Sequence, residues 1–163
     1  MDQSLSNGVK DKIAEVTWNL GGWNDHEIYS DQIYGYERGE AVYSGRSTTW
    51  TGKIALAYPS DYGYAADLGS CTQNLVNYDN STCTSTNWMM NIITNNWNYW
   101  GWLLTPISAT PFFAWSVYSS GFIFHVDSYA FNAYGVVPVL YLDSELSIKA
   151  GIGTGSAPYQ LLV

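Results

Sequence analysis

The feature that most constrains this chain is a 46-residue block with two firm ends and an unusual middle, Trp97 to Leu142. Its first end reads Trp-Asn-Tyr-Trp-Gly-Trp-Leu-Leu-Thr-Pro and its last reads Ala-Tyr-Gly-Val-Val-Pro-Val-Leu-Tyr-Leu. Both are short apolar runs, aromatic or β-branched, bounded by Gly and Pro, and both predict buried strands. Between them, Ile107 to Asn132 contains no Lys, Arg, Glu, Gln or Met, yet is crowded with Phe, Tyr, Ser, His and Asp. That stretch is too aromatic for an ordinary solvated loop and too irregular for a core strand. The remainder of the chain therefore reads as a scaffold that displays it.

Length and composition narrow the class. A chain of 163 residues suits one domain with a full core, so residues 1–163 are read as a single unit. Aromatics reach 17% while charged residues fall to 12%, which favours strands and aromatic turns over helical bundles. The net charge of −8, with neither Lys nor Arg between Ile54 and Ile148, offers no basic footprint for nucleic acid or an anionic membrane surface. No apolar run is long enough to span a bilayer, and direct membrane insertion is not expected. No signal-peptide pattern follows Met1, which suits a piece of a longer protein.

Cys71 and Cys83 flank a polar, turn-rich loop containing Asn77, Asp79, Asn80 and Ser81. Two readings compete: free thiols in a reducing compartment, or a staple across the loop in an oxidising one. The turn-rich sequence favours the staple. A metal site there lacks a second Cys pair or a His cluster.

Further strands are expected at Lys12–Leu20, ended by Gly21 and Gly22, at Lys53–Tyr58, Trp102–Thr105, Ala114–Ser119, Phe122–Val126, Val136–Leu142 and Tyr159–Val163. Pro138 inside one of these runs requires an edge or a bulge, because proline cannot donate to a ladder. Pro59-Ser60-Asp61 reads as a break, with Asp61 capping the next turn of the chain. His26–Gly39 fits a short helix or an irregular loop, and Asn87–Trp97 a short helix or irregular packed segment. Trp23-Asn24-Asp25 matches a tripeptide of calcium-dependent lectins, but stands early and without their partner loops, so it reads as a polar turn.

Four stretches then carry a resemblance: Trp-Thr-Gly-Lys-Ile-Ala-Leu-Ala-Tyr-Pro-Ser-Asp-Tyr-Gly-Tyr-Ala at 50–65, Trp-Leu-Leu-Thr-Pro at 102–106, Tyr-Gly-Val-Val-Pro-Val-Leu-Tyr-Leu at 134–142 and Gly-Thr-Gly-Ser-Ala-Pro-Tyr at 153–159. In this order the chain, from about Trp18 onward, resembles the C-type-lectin-fold variable proteins of diversity-generating retroelements, surface proteins of bacteria, archaea and their viruses. It departs at Val137, where the family usually carries Arg. The resemblance implies an α+β C-type lectin fold whose first and last strands bring the chain ends together. It also implies a location outside the cell, on a cell surface or on a virion. It further implies diversification by reverse transcription, in which Asn codons become NNY and so never encode Lys, Glu, Gln, Met or Trp. A variable region at about 107–132 agrees with that code except at Trp115.

A recognition face profits from aromatic rings, which bury much area at low entropic cost, interspersed with small polar groups. Phe112, Phe113, Trp115, Ser116, Tyr118, Phe122, Phe124, His125, Asp127, Tyr129, Phe131 and Asn132 are the expected ligand contacts. Ala114, Val117, Ile123 and Ala130 suit the interior, as does Leu104 in the scaffold, while Phe124 and Tyr129 are expected outside. The expected function is non-enzymatic binding, without cofactor, of a protein or glycan ligand on another cell or particle. Two alternatives come from other classes. A calcium-dependent sugar lectin needs a carboxylate-rich loop, and Asp127 and Asp143 stand isolated. An oxidase like the formylglycine-generating enzymes shares the general fold but needs an active-site cysteine pair, and Cys71 and Cys83 lie in a polar excursion.

Overall fold

A computed structural model describes residues 7–24, 27–78, 82–94, 100–125, 129–154 and 156–162. Among these the chain forms α-helices α1 (Asn7–Asp11), α2 (Ser30–Glu37), α3 (Pro59–Tyr64) and α4 (Trp88–Thr94). Its strands are β1 (Val16–Asn19), β2 (Thr49–Gly52), β3 (Ile54–Leu56), β4 (Trp100–Pro106), β5 (Ala114–Tyr118), β6 (Ile123–Phe124), β7 (Pro138–Leu140), β8 (Ile148–Ala150) and β9 (Gln160–Leu161). The result is a mixed fold of short helices and small antiparallel sheets: β1–β2, β3–β7, β4–β5–β6 and β8–β9.

The expected strand at Lys12–Leu20 shortens to β1, and Gly21 and Gly22 do more than end it. The Gly21 N–H donates to Glu37 O at 3.0 Å and the Gly22 N–H to Ala41 O at 2.7 Å, so the chain runs directly beneath the C-terminal end of α2. That helix resolves the ambiguity of His26–Gly39; Gln32 reaches back to accept from the Tyr29 N–H at 3.2 Å, satisfying one orphan donor of the first turn. The Pro-Ser-Asp break opens a helix rather than a simple turn. Pro59 takes a first-turn position where no N–H is needed, and Asp61 accepts from the Tyr58 N–H at 3.0 Å.

The two helices are tied by a buried carboxyl. Glu37 is fully buried and accepts from both the N–H and the hydroxyl of Ser60, while Arg38 Nη1 lies 3.2 Å away. Burial pushes the Glu37 carboxyl up to about 7, and the Ser60 hydrogen bonds and Arg38 pull in the other direction.

One core cluster gathers Ile28 and Ile33, Tyr62 of α3, Leu75, Met89 of α4 and the inner residues of β4 to β6. Cys71 and Cys83 belong to it, and they are joined, with Cα atoms 4.8 Å apart. The staple is therefore present and both sulfurs are buried in the core rather than standing in a surface excursion. Asp79 to Ser81, towards the Cys83 end of the loop it closes, lie outside the described residues. Replacing both cysteines by Ser should lower the unfolding free energy by about 3 kcal/mol in the chain-entropy model. A guanidinium midpoint equal to that of the parent would contradict this.

Three expectations need correction. The block Val136–Leu142 is not a deeply buried strand: Pro138–Leu140 pairs in the β3–β7 ribbon, Leu142 makes an isolated bridge, and Val136, Tyr141 and Leu142 are exposed. Pro138 opens that strand in a ribbon of two, where a missing donor is tolerated. The chain's closing strand β9 pairs with β8, not with β1; the N-terminal part instead meets the chain at Ile13–Leu142 and through the Asp143 N–H to Lys12 O at 2.9 Å. Finally, Leu103 is the buried leucine of β4, and Leu104 is only partly covered.

Candidate functional site

The site is built on the β4–β5–β6 sheet. Strand alternation sends one set of its residues inward: Gly101, Leu103 and Thr105 of β4, Trp115 and Val117 of β5, and Ile123 of β6 are all buried. The register pairs Trp100 with Tyr118, Trp102 with Ser116, and Ser116 with Phe124, so these share the outer face. On the far edge of β4, Gly135 bridges Gly101, with the Trp102 N–H donating to Gly135 O at 2.9 Å and the Gly135 N–H to Trp100 O at 2.8 Å. This docking lays Tyr134 onto the same face.

The outer face is consequently a layer of rings. Trp100 lies 5.6 Å from Tyr134 at an interplanar angle of 17°, 4.6 Å from Tyr118 and 6.5 Å from Phe124. Trp102 lies 4.6 Å from Tyr134, and Phe122 lies 5.0 Å from Tyr118. Each of these rings is half-buried. The turn that carries Phe122 is held from below: Gly121 adopts φ +101°, and the buried hydroxyl of Tyr62 donates to its carbonyl at 2.6 Å. Burial holds the Tyr62 phenol well above its ordinary range.

Beside the layer stands a ridge. Residues 129–132 dock on the β4–β5 loop through an isolated Phe113–Tyr129 bridge and the Ala130 N–H to Phe112 O bond at 2.7 Å. Phe113 turns partly into the core, 4.6 Å from Tyr129, which stacks on Phe131 at 5.1 Å and 28°. Phe112, Tyr129 and Phe131 remain 60, 39 and 79% exposed. Arg46 reaches the same loop and donates to Pro111 O. Between layer and ridge opens a cleft of about 220 Å³ lined by Leu56, Trp102, Leu103, Ala114 and Ala130.

The expected contacts therefore divide. Phe112, Tyr129 and Phe131 are open; Phe113, Tyr118, Phe122 and Phe124 are half-buried; Asn132 is half-buried and donates to the Tyr134 hydroxyl at 2.9 Å. Asp127 lies outside the described residues. Trp115, Ser116 and His125 are corrected: all are buried and cannot touch a ligand in this arrangement. Trp115 and His125 follow the inward alternation and meet each other edge-on, with ring centroids 4.7 Å apart. Ser116 does face outward, but it is a small residue roofed by the flanking rings, and its hydroxyl donates to Phe124 O at 3.2 Å. Of the residues expected inside, Val117 and Ile123 are buried, Ala114 is half-buried and Ala130 is exposed.

Sequence reasoning missed Trp100, Trp102 and Tyr134, which it assigned to the scaffold. The signal was present: Trp100 and Trp102 alternate with Gly101 and Leu103, and a large ring beside a glycine on the opposite face marks a one-sided strand.

The described residues contain no group of three or more His, Cys, Asp or Glu able to hold a metal, and Cys71 and Cys83 are bonded to each other. Trp23 of the lectin-like tripeptide stacks on Tyr36 at 3.7 Å, while Asp25 lies outside the described residues. Among the described residues no helix is long and apolar enough to cross a membrane. Comparison with protein-family models, curated proteins and solved structures finds no match to this chain.

Proposed function

We propose that this chain is a non-enzymatic recognition domain whose aromatic layer and ridge bind a protein or glycan ligand on another cell or particle. The observation that carries the proposal is the ridge of Phe112, Tyr129 and Phe131. Phe112 and Phe131 stand mostly in solvent, against the hydrophobic effect, and Phe131 stacks on the partly exposed Tyr129, beside an apolar cleft. Such rings make efficient anchors because they are rigid and carry much area. The half-buried layer next to them supplies a broad, preformed floor, which lowers the ordering cost of binding.

The resemblance at residues 50–65, 102–106, 134–142 and 153–159 supports a finer proposal. In it the domain is a C-type-lectin-type variable protein of a diversity-generating retroelement, shown outside the cell on a cell surface or virion. The separation of an inner face from an outer one is compatible with diversification of the outer set alone. Trp115, the residue that NNY codons cannot encode, is on the inner face, outside any such set.

A library tests the reading. Residues Phe112, Tyr118, Phe124, Tyr129, Phe131 and Asn132 would be randomised, displayed on phage and selected against one immobilised protein such as lysozyme. Specific, folded binders are expected. A library in which most members lose the parent's protease resistance would contradict the proposal, because the rings would then be holding the fold. The retroelement origin has its own check: the encoding genome should carry a reverse transcriptase gene and a near-repeat of the sequence encoding residues 107–132.

A further inference from the structure

A second concave site is built from elements that take no part in the aromatic layer. The start of α2, the end of α3 and the loop beginning at Cys71 line a half-open cavity of about 150 Å³, with Tyr29, Tyr64 and Tyr78 among its walls and Ser30, Asp31, Thr72 and Gln73 as polar members. Tyr78 is buried and fixed, its hydroxyl donating to Gly63 O at 3.2 Å. Tyr29 and Tyr64 remain 44 and 45% exposed, although each is a large ring beside a ready-made cavity. Cys71, held by the disulfide, and Leu68 add apolar lining.

The chemistry of this lining is one-sided. It has three phenol rings and one carboxylate, and none of its lining residues is Lys, Arg or His. The nearest-numbered cation, Arg38, lies 3.5 Å above the Tyr34 ring and beside Glu37; Tyr34 in turn meets Tyr64 edge-on at 6.3 Å, so the guanidinium stands behind the cavity wall, one ring away, and is not among the lining residues. Ring faces carry negative electrostatic potential, and a neighbouring carboxylate deepens it. The chain as a whole, at −8, also raises the local concentration of cations. A bare ammonium is strongly hydrated and is costly to bring against apolar walls, whereas an alkylated one presents methyl groups to the rings and keeps its charge.

We infer that the Tyr29–Tyr64–Tyr78 cavity, with Asp31 at its edge, binds a quaternary ammonium headgroup. This site is separate from the recognition face and stands or falls without it.

Calorimetric titration of the intact chain with choline, and with the neutral isostere in which carbon replaces nitrogen, tests the inference. Choline should bind at least about tenfold more tightly than the isostere, since only the charge distinguishes them. Tyr64→Leu and Asp31→Asn should each weaken choline by about three- to tenfold. Both positions are exposed, so the variants should melt with the parent. A trimethyllysine peptide, set against its unmethylated form, separates the sources: binding of the methylated peptide assigns a protein tail, and binding of choline alone assigns a free small molecule. Equal affinity for choline and its neutral isostere, or no choline binding at about 100 mM, would overturn the inference.

Discussion

Trp115→Ala should cost this protein about 3–5 kcal/mol, a large share of the roughly 5–15 kcal/mol by which an ordinary domain is stable. The side chain is fully buried at the middle of the inner face of the β4–β6 sheet and belongs to the central cluster. Removing it deletes the largest ring of that cluster and leaves a void. The His125 imidazole, packed edge-on against it at 4.7 Å, loses that contact. The check is a guanidinium titration followed by far-ultraviolet circular dichroism. An unchanged midpoint would mean that Trp115 is a surface contact after all.

Gly21→Ala should be as damaging for a different reason. A Cβ at this position would lie 2.2 Å from Tyr36 O, 2.6 Å from Gly39 O and 2.8 Å from Glu37 O. All three are backbone atoms of the α2 terminus and the turn after it, so no side chain can swing aside. To admit the methyl, the β1 exit must move away from α2, breaking the Gly21 N–H to Glu37 O bond and disturbing the buried carboxyl that holds Ser60. A loss of at least about 3 kcal/mol is expected. A thermal melt of the purified variant decides it: a midpoint within a degree or two of the parent would show that the two segments are not locked together.

Parts of this fold were legible in the sequence because local signals and tertiary packing agree. The β5–β6 hairpin is one case: Ala114 to Tyr118 and Phe122 to Phe124 alternate around Gly121, whose positive φ only glycine tolerates cheaply. The Cys71–Cys83 staple is another, read from the turn-rich loop between the two sulfurs. Other parts were hidden because the deciding contact is remote. Val136 to Leu142 has the composition of a core strand, but composition cannot report that the partner is the short β3 and that the ribbon lies largely open. The pairing of β9 with β8 likewise depends on Gly151 and Gly153 turning the chain back with φ of 93° and 80°, a local ribbon that the strand-like run at the end of the chain did not announce.

The candidate site was legible as a region rather than as a list of contacts. Ile107 to Asn132 does supply the open ridge. Yet Trp115 and His125 were grouped with it by residue type, when their alternation with Ser116 and Phe124 already sent them inward. Trp100, Trp102 and Tyr134 were left out because they come from flanking segments, and only the Gly101–Gly135 bridge brings those segments together.

The most direct measurement is the stability of a single triple variant, Phe112→Ser, Tyr129→Ser and Phe131→Ser, against Leu103→Ala in the same guanidinium titration. If the ridge exists for a partner, the triple variant should lose no more than about 1.5 kcal/mol in all, as three open side chains would. Leu103→Ala, emptying a buried position of β4, should lose about 2–5 kcal/mol. A triple variant that unfolds at or below the Leu103→Ala midpoint would show that the ridge belongs to the core, and would contradict the reading of it as a recognition surface.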